Sequence, residues 1–251
     1  MTMSLALTAY LGLSHVTGGF ARRRLAARVT LGKEDPDRLH ERLGQPKLKR
    51  PKGRLIWFHA ASVGESVALL SVFEALREEQ PEDNILLTTG TVTSAEVMAN
   101  RLPSGVIHQY VPVDTAAAVK GFLDHWQPDL ALWTARDLWP RLVVDTHRRK
   151  IPMMLITASI SRKSARRLRW AGAYAAALLN RFEAILAQDD AGADRAVSRT
   201  PRSHRPMMPT RSRRPWRSSR VGRSGWRPPP MTGRRCWSPP PTAKPAAATP
   251  A

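Results

Sequence analysis

A glutamate at position 65 closes a run of small and hydroxylated residues, Ala60-Ala-Ser-Val-Gly-Glu65. Apolar residues precede this run and a helical spacing follows it. The Glu65 carboxylate therefore stands at a helix start, directly after a strand end. There it can complement the helix dipole, a contribution of about 0.3–1 kcal/mol. Or it can face a crevice as a general base and accept a proton from a bound hydroxyl. Three further loops stand at strand ends: Thr88 to Ser94, of similar material and including Thr89, Gly90 and Thr91, then Thr134 to Asp137 with its own carboxylate, and Thr157 to Ser161. Small and hydroxylated residues let a polar or phosphorylated ligand approach helix N-termini closely. No Walker loop and no G-x-G-x-x-G turn is present. The histidines are scattered singly, without metal-ligand spacing.

The elements that must position these loops form a regular alternation. Short apolar runs at 55–59, 85–88, 106–110, 130–133, 153–156 and 184–187 read as strands. Between them, Val67, Leu70, Val72, Phe73 and Leu76 are spaced for one buried helix face. Ser94 or Thr93 is the expected N-cap of a helix running through Met98. Asp114 is the expected cap of a helix ending near Trp126. Further helices are expected from 138 to about 149 and within 161–180. Strands that are apolar throughout, alternating with helices, imply α/β architecture: a Rossmann-like, doubly wound parallel sheet covered on both faces. In such sheets chemistry sits just beyond the carboxyl ends of the strands.

The chain has 251 residues and a formal net charge of +20, but the charge is unevenly spread. Residues 198–251 contain no Asp, Glu, Asn, Gln, Leu, Ile, Phe or Tyr, yet hold 13 of the 40 Lys and Arg and 12 of the 21 prolines. The first 197 residues carry a net of only +7. So little aliphatic surface cannot offset the entropy of ordering a backbone, and residues 197–251 are expected to be a disordered basic tail. Its composition matches out-of-frame translation of a GC-rich gene. A nucleic-acid-binding tail using Trp216, Trp226 and Trp237 is disfavoured, because it lacks regular spacing or a foldable motif. The single cysteine, Cys236, excludes an intramolecular disulfide.

Residues 1–30 are mildly apolar at first and basic afterwards, with Arg22, Arg23, Arg24 and Arg28. The segment falls short of a membrane span. It reads as a weak membrane anchor or interfacial segment, or else as an ordinary amphipathic helix. Residues 31–53 read as a linker, and 54–196 as the folded domain.

The string His59-Ala-Ala-Ser-Val-Gly-Glu65 resembles the signature of 3-deoxy-D-manno-octulosonic acid (Kdo) transferases, GT-B glycosyltransferases that add Kdo to the lipid A precursor. The resemblance extends through Gly32-Lys-Glu-Asp-Pro36, Glu41-Arg-Leu-Gly44, Leu87-Thr-Thr-Gly-Thr-Val-Thr-Ser94 and Val106-Ile-His-Gln-Tyr-Val-Pro112. It continues in Asp124-His-Trp-Gln-Pro-Asp-Leu-Ala-Leu-Trp133, Leu138-Trp-Pro140 and Ala187-Gln-Asp189. It implies an N-terminal domain that binds the acceptor lipid and a C-terminal one that binds CMP-Kdo. It also implies Glu65 as the catalytic base, inversion at the donor sugar, and neither metal nor cofactor. Ser62, Gly64, Thr89, Gly90, Thr91 and Asp137 are then expected at the acceptor. The implied location is the cytoplasmic face of the bacterial inner membrane, with the membrane surface as a partner.

The chain departs from the family pattern in three places. Ala135 stands where a supporting glutamate is usual, while Asp137 keeps the second carboxylate. Thr157-Ala158-Ser159 replaces an Asn-Ala-Arg. The CMP-Kdo domain is missing from the sequence read. These departures imply an impaired enzyme by descent, or a non-catalytic binder of the anionic acceptor.

Overall fold

The computed structural model describes residues 4–134, 137–158 and 172–187. Six strands form one parallel sheet: β1 (Leu55–Ala60), β2 (Asn84–Thr89), β3 (Val106–Tyr110), β4 (Leu130–Trp133), β5 (Met153–Ala158) and β6 (Ala184–Ala187). Their spatial order is β3-β2-β1-β4-β5-β6, and every pairing is parallel. All six residues of β1 are buried, which is why that run carries no polar alternation.

Successive side chains of β1 feed two cores. Leu55 and Trp57 pack with Phe122, Trp126, Trp133 and Leu142 on one face. Ile56, Phe58 and Ala60 pack with Leu69, Phe73 and Met98 on the other. The first face is covered by α1 (Leu5–Val16), α7 (Ala116–Trp126), α8 (Pro140–Arg148) and α9 (Gly172–Leu179). The second is covered by α5 (Leu70–Glu79) and α6 (Val92–Ala99), with α4 (Val63–Ala68) packed on α5 and α6. The chain leaving β1 thus turns to one face and the chain leaving β4 turns to the other. β1 and β4 are neighbours, so a crevice opens between their carboxyl ends, the switch point of a doubly wound sheet.

Several local expectations change. The helix expected after Glu65 is broken into α4 and α5 at Leu69. The break rotates the buried face, so Leu69 is enclosed while Val72 is exposed. Thr91, not Ser94 or Thr93, is the N-cap of α6. Its backbone is extended and its Oγ1 accepts from Ser94 N at 3.1 Å. Asp114 does not cap α7, whose N-cap is Thr115. Instead its two carboxylate oxygens accept from Arg141 N (2.9 Å) and Leu142 N (2.8 Å) at the start of α8. Tyr10 of α1 donates its hydroxyl to the same carboxylate at 2.7 Å. One acid therefore ties α1 and α8 to the loop after β3.

Residues 31–53, expected as a linker, contain the short α3 (Leu39–Arg42) and close the exposed edge of β3. Glu41 Oε2 accepts from Tyr110 N at 2.8 Å. Val113 N donates to the Arg42 carbonyl at 2.8 Å, and Arg38 donates to the His108 carbonyl at 3.1 Å. Backbone groups that would otherwise template another strand are thereby occupied. Gly44 makes the close fit possible. Its φ is +72°, and a Cβ there would overlap the Ala118 carbonyl of α7.

At the N-terminus, Leu7 and Leu11 of α1 are buried in the first core. α2 (Gly18–Thr30) follows, with Arg22, Arg23 and Arg24 exposed. Among the described residues no helix is long and apolar enough to cross a membrane. The tail, Ala135 and Ser159 lie outside the described residues.

Candidate functional site

Glu65 sits where its position after β1 suggested, at the start of α4 on one lip of the crevice. Its Oε2 accepts from Ala61 N at 2.8 Å and Ser62 N at 3.2 Å. Ser62 Oγ accepts in return from Glu65 N at 3.4 Å. This is a reciprocal capping box. The carboxylate is thus held by its own loop through one oxygen. Among the described residues, Oε1 has no hydrogen-bond partner. The structural and the chemical readings of Glu65 are therefore compatible: one oxygen orients the carboxylate, and the other has no partner among the described residues.

The remaining expected residues divide into two groups. Ser62, Gly64 and Thr91 are exposed, and Gly90 is half-buried. Nothing lies within 4 Å of a Cβ built on Gly64, so the fold itself does not require glycine there. A Cβ on Gly90 would lie 3.9 Å from the Ala61 carbonyl oxygen. Thr89 pairs with Ala60 in the sheet, so the β2 loop leaves it beside the loop that carries Glu65. Thr89 differs: it is fully buried, and its Oγ1 lies 2.9 Å from His108 Nε2. Its side chain points into the fold and not toward a ligand. Asp137 is exposed on the opposite lip, beyond β4.

Helix starts at the crevice are less open to anions than the sequence suggested. The capping box fills that of α4, Thr91 that of α6, and Asp114 that of α8. Burial pushes the Asp114 carboxyl above the usual carboxylate range, against the two backbone donors and Tyr10, which lower it.

His59, part of the signature string, is a core residue. Its Nδ1 lies 3.0 Å from Thr88 Oγ1, and Thr88 also accepts from Trp57 Nε1 at 2.9 Å. Burial pushes the His59 imidazole down to about 4, so it stays neutral within the core. Among the described residues no group of three or more His, Cys, Asp or Glu could hold a metal ion. A cavity of about 360 Å³, lined by Leu123, Asp124, Gln127 and Arg149 among others, lies at the other end of the sheet. Its Asp124 is already paired with Lys120 and Arg149.

Sequence reasoning missed the supports of the site: Arg38, Glu41, His108, Asp114 and Tyr10. The string Glu41-Arg-Leu-Gly44 was a signal for them, because a glycine after a helical turn marks a close approach. Their partners, far away in the chain, left no local trace.

The profile of the family described as "3-Deoxy-D-manno-octulosonic-acid transferase (kdotransferase)" matches residues 37–207. A protein of Arabidopsis thaliana named "Probable 3-deoxy-D-manno-octulosonic acid transferase, mitochondrial" is 43% identical over 136 residues, 54% of this chain and 30% of that protein. The 3-deoxy-D-manno-octulosonic acid transferase of Rickettsia bellii is 31% identical over 163 residues, 65% of this chain and 39% of its own length. The chain thus spans about a third of the curated relatives it matches. Among solved structures, a UDP-GlcNAc 2-epimerase from Neisseria meningitidis aligns with a TM-score of 0.43 at 12% identity, over 58% of this chain and 43% of that one. With its family profile matched over more than half its length, the chain belongs to the 3-deoxy-D-manno-octulosonic acid transferase family.

Proposed function

We propose that this chain is the acceptor side of a Kdo transferase, holding the lipid A precursor at the crevice with Glu65 as base. The observation that carries the reading is a carboxylate at the switch point, oriented through Oε2 and with Oε1 left unpaired among the described residues. A sugar hydroxyl at Oε1 gives up its proton to Glu65 as its oxygen bonds to the anomeric carbon of Kdo. The bond from that carbon to CMP breaks with inversion, and CMP leaves with the electron pair.

The donor, CMP-Kdo, must be gripped across the crevice, and most of the rate comes from holding both reactants in line. Residues 198–251 contain neither the acids nor the leucine and isoleucine such a domain needs. The 251-residue chain is therefore expected to bind acceptor without transferring Kdo. A non-catalytic binder is the second reading. It is favoured by the capping box, which gives Glu65 a role in the fold without any reaction.

The same reading puts the N-terminal helices at the cytoplasmic face of the inner membrane. Leu5, Leu13, Val16 and Phe20 are exposed beside Arg22, Arg23 and Arg24. Such a surface suits an anionic leaflet.

The test is a titration of the purified full chain with lipid A precursor, followed by addition of CMP-Kdo. Expected are binding that weakens as salt screens the site, and no Kdo transfer. Glu65→Gln should leave the affinity within about threefold. Absence of binding contradicts the reading. Turnover that Glu65→Ala abolishes would support the base and contradict the expected impairment.

A further inference from the structure

Behind the loop at 89–91 lies a chain of bonds that the reading above does not use. Arg38 Nη2 lies 3.1 Å from both His108 Nδ1 and the His108 carbonyl oxygen and 2.9 Å from Glu41 Oε2, so its two hydrogens are shared among three acceptors. An arginine has no acceptor, and a proton on Nδ1 would point at the guanidinium, so the Nδ1 lone pair faces Arg38. The proton of the neutral ring then sits on Nε2, which donates to Thr89 Oγ1 at 2.9 Å. Arg38 is itself fixed by two 2.9 Å bonds to Glu41, and its guanidinium lies 4.7 Å over the Tyr110 ring. Burial and the charge of Arg38 push the His108 imidazole down to about 3, which keeps the ring neutral. Thr89 is the last residue of β2. Thr89 pairs with Ala60 of β1, so Gly90 and Ala61 leave the sheet side by side, and Ala61 N–H donates to Glu65.

We propose that His108 is a positioning residue. Held in one tautomer by Arg38, it fixes Thr89 and so sets the Gly90–Thr91 loop against the Glu65 loop, where a phosphorylated, hydroxyl-rich sugar acceptor would lie. This rests on the acceptor reading for its ligand, but not for its geometry. The segment at 31–53 then has a task beyond covering an edge strand: through Arg38 it sets one wall of the site.

Conservative variants of the full chain separate the two bonds. His108→Gln puts an amide N–H near the place of Nε2, so it can still reach Thr89. His108→Asn offers an acceptor near the place of Nδ1, so it keeps Arg38 but cannot reach Thr89. Thr89→Val removes the hydroxyl at nearly equal volume. In His108→Asn and Thr89→Val, the amide order parameters of Gly90 and Thr91 should fall from about 0.85 to below about 0.6. Affinity for the lipid A precursor should fall about tenfold in both, the scale of one lost buried hydrogen bond. His108→Gln should stay within about threefold of the parent chain. Nitrogen NMR of the parent should show His108 protonated at Nε2 and not at Nδ1. If His108 serves only to anchor the 31–53 segment, the order reverses and His108→Asn is nearest the parent. That order, or a proton on Nδ1, overturns the proposal. If the parent binds no lipid A precursor, the acceptor reading falls, while the order parameters still decide the role of His108.

Discussion

The crevice and the edge around β3 satisfy their polar groups in different ways. At the crevice the bonds close locally: Glu65 to Ala61 and Ser62, and Thr91 to Ser94, three or four residues apart. At the edge they close across the chain. Glu41 reaches Tyr110 over 69 residues, Arg38 reaches His108 over 70, and Tyr10 reaches Asp114 over 104. The loops that would touch a ligand are self-contained, but distant segments determine where they stand. Damage at the edge should therefore lower global stability, and damage at the loops should stay local.

Acid should have the largest effect, because it strikes the buried supports. His59 and His108 are held down to about 4 and about 3, from 6.5. Both are neutral when folded and take protons more readily when unfolded. Their contribution is complete above pH 6.5 and is lost as pH falls toward 4 and then 3. From pH 6.5 to 5 the two account for about 3 kcal/mol, since the slope of each rises to 1.36 kcal/mol per unit only below the unfolded value. Asp114, raised by burial, works in the opposite sense and offsets part of the loss. Urea midpoints at pH 7 and pH 5 measure the balance. Equal midpoints would remove the histidines from the buried framework.

Next in size is Gly44→Ala, which forces a side chain into a positive φ and onto the Ala118 carbonyl. It should cost about 3 kcal/mol or more in equilibrium unfolding. A loss under about 1 kcal/mol would mean that the 31–53 segment is only loosely held. Asp114→Ala follows, at about 2 kcal/mol, since it uncaps α8 and strands the Tyr10 hydroxyl. A double-mutant cycle with Tyr10→Phe should show non-additivity. Full additivity would mean that α1 is not tied to α8 through this acid.

Ser62→Ala should be smallest, at about 1 kcal/mol or less. α4 has six residues, and the Ser62 bond is long at 3.4 Å. Its signature should be increased motion near 61–65 with little change in global unfolding. A large global loss would erase the distinction between the two regions.

The same distinction explains what the sequence disclosed. The strands were legible because both faces of β1 are buried and its apolar run is unbroken. Glu65 was legible because a carboxylate between an apolar run and a helical spacing is a local pattern, although its capping box with Ser62 was not read. The caps failed where geometry intervened. Thr91 and Ser94 are chemically interchangeable, and only the extended backbone at Thr91 decides between them. Asp114 looked like a cap for the helix beginning just after it, yet its carboxylate serves α8, 27 residues further on. The 31–53 segment looked like a linker because the groups it holds at β3 and just after it, on His108, Tyr110 and Val113, lie in no local window.

A footprint of the lipid A precursor on the full chain tests the central claim most directly. Backbone amide shifts would be followed during the titration, at low and high salt. Perturbation centred on residues 61–65 and 89–91, weakening with salt, is the result this account predicts. Perturbation confined to α1 and α2, with the Glu65 loop silent at saturation, would contradict it.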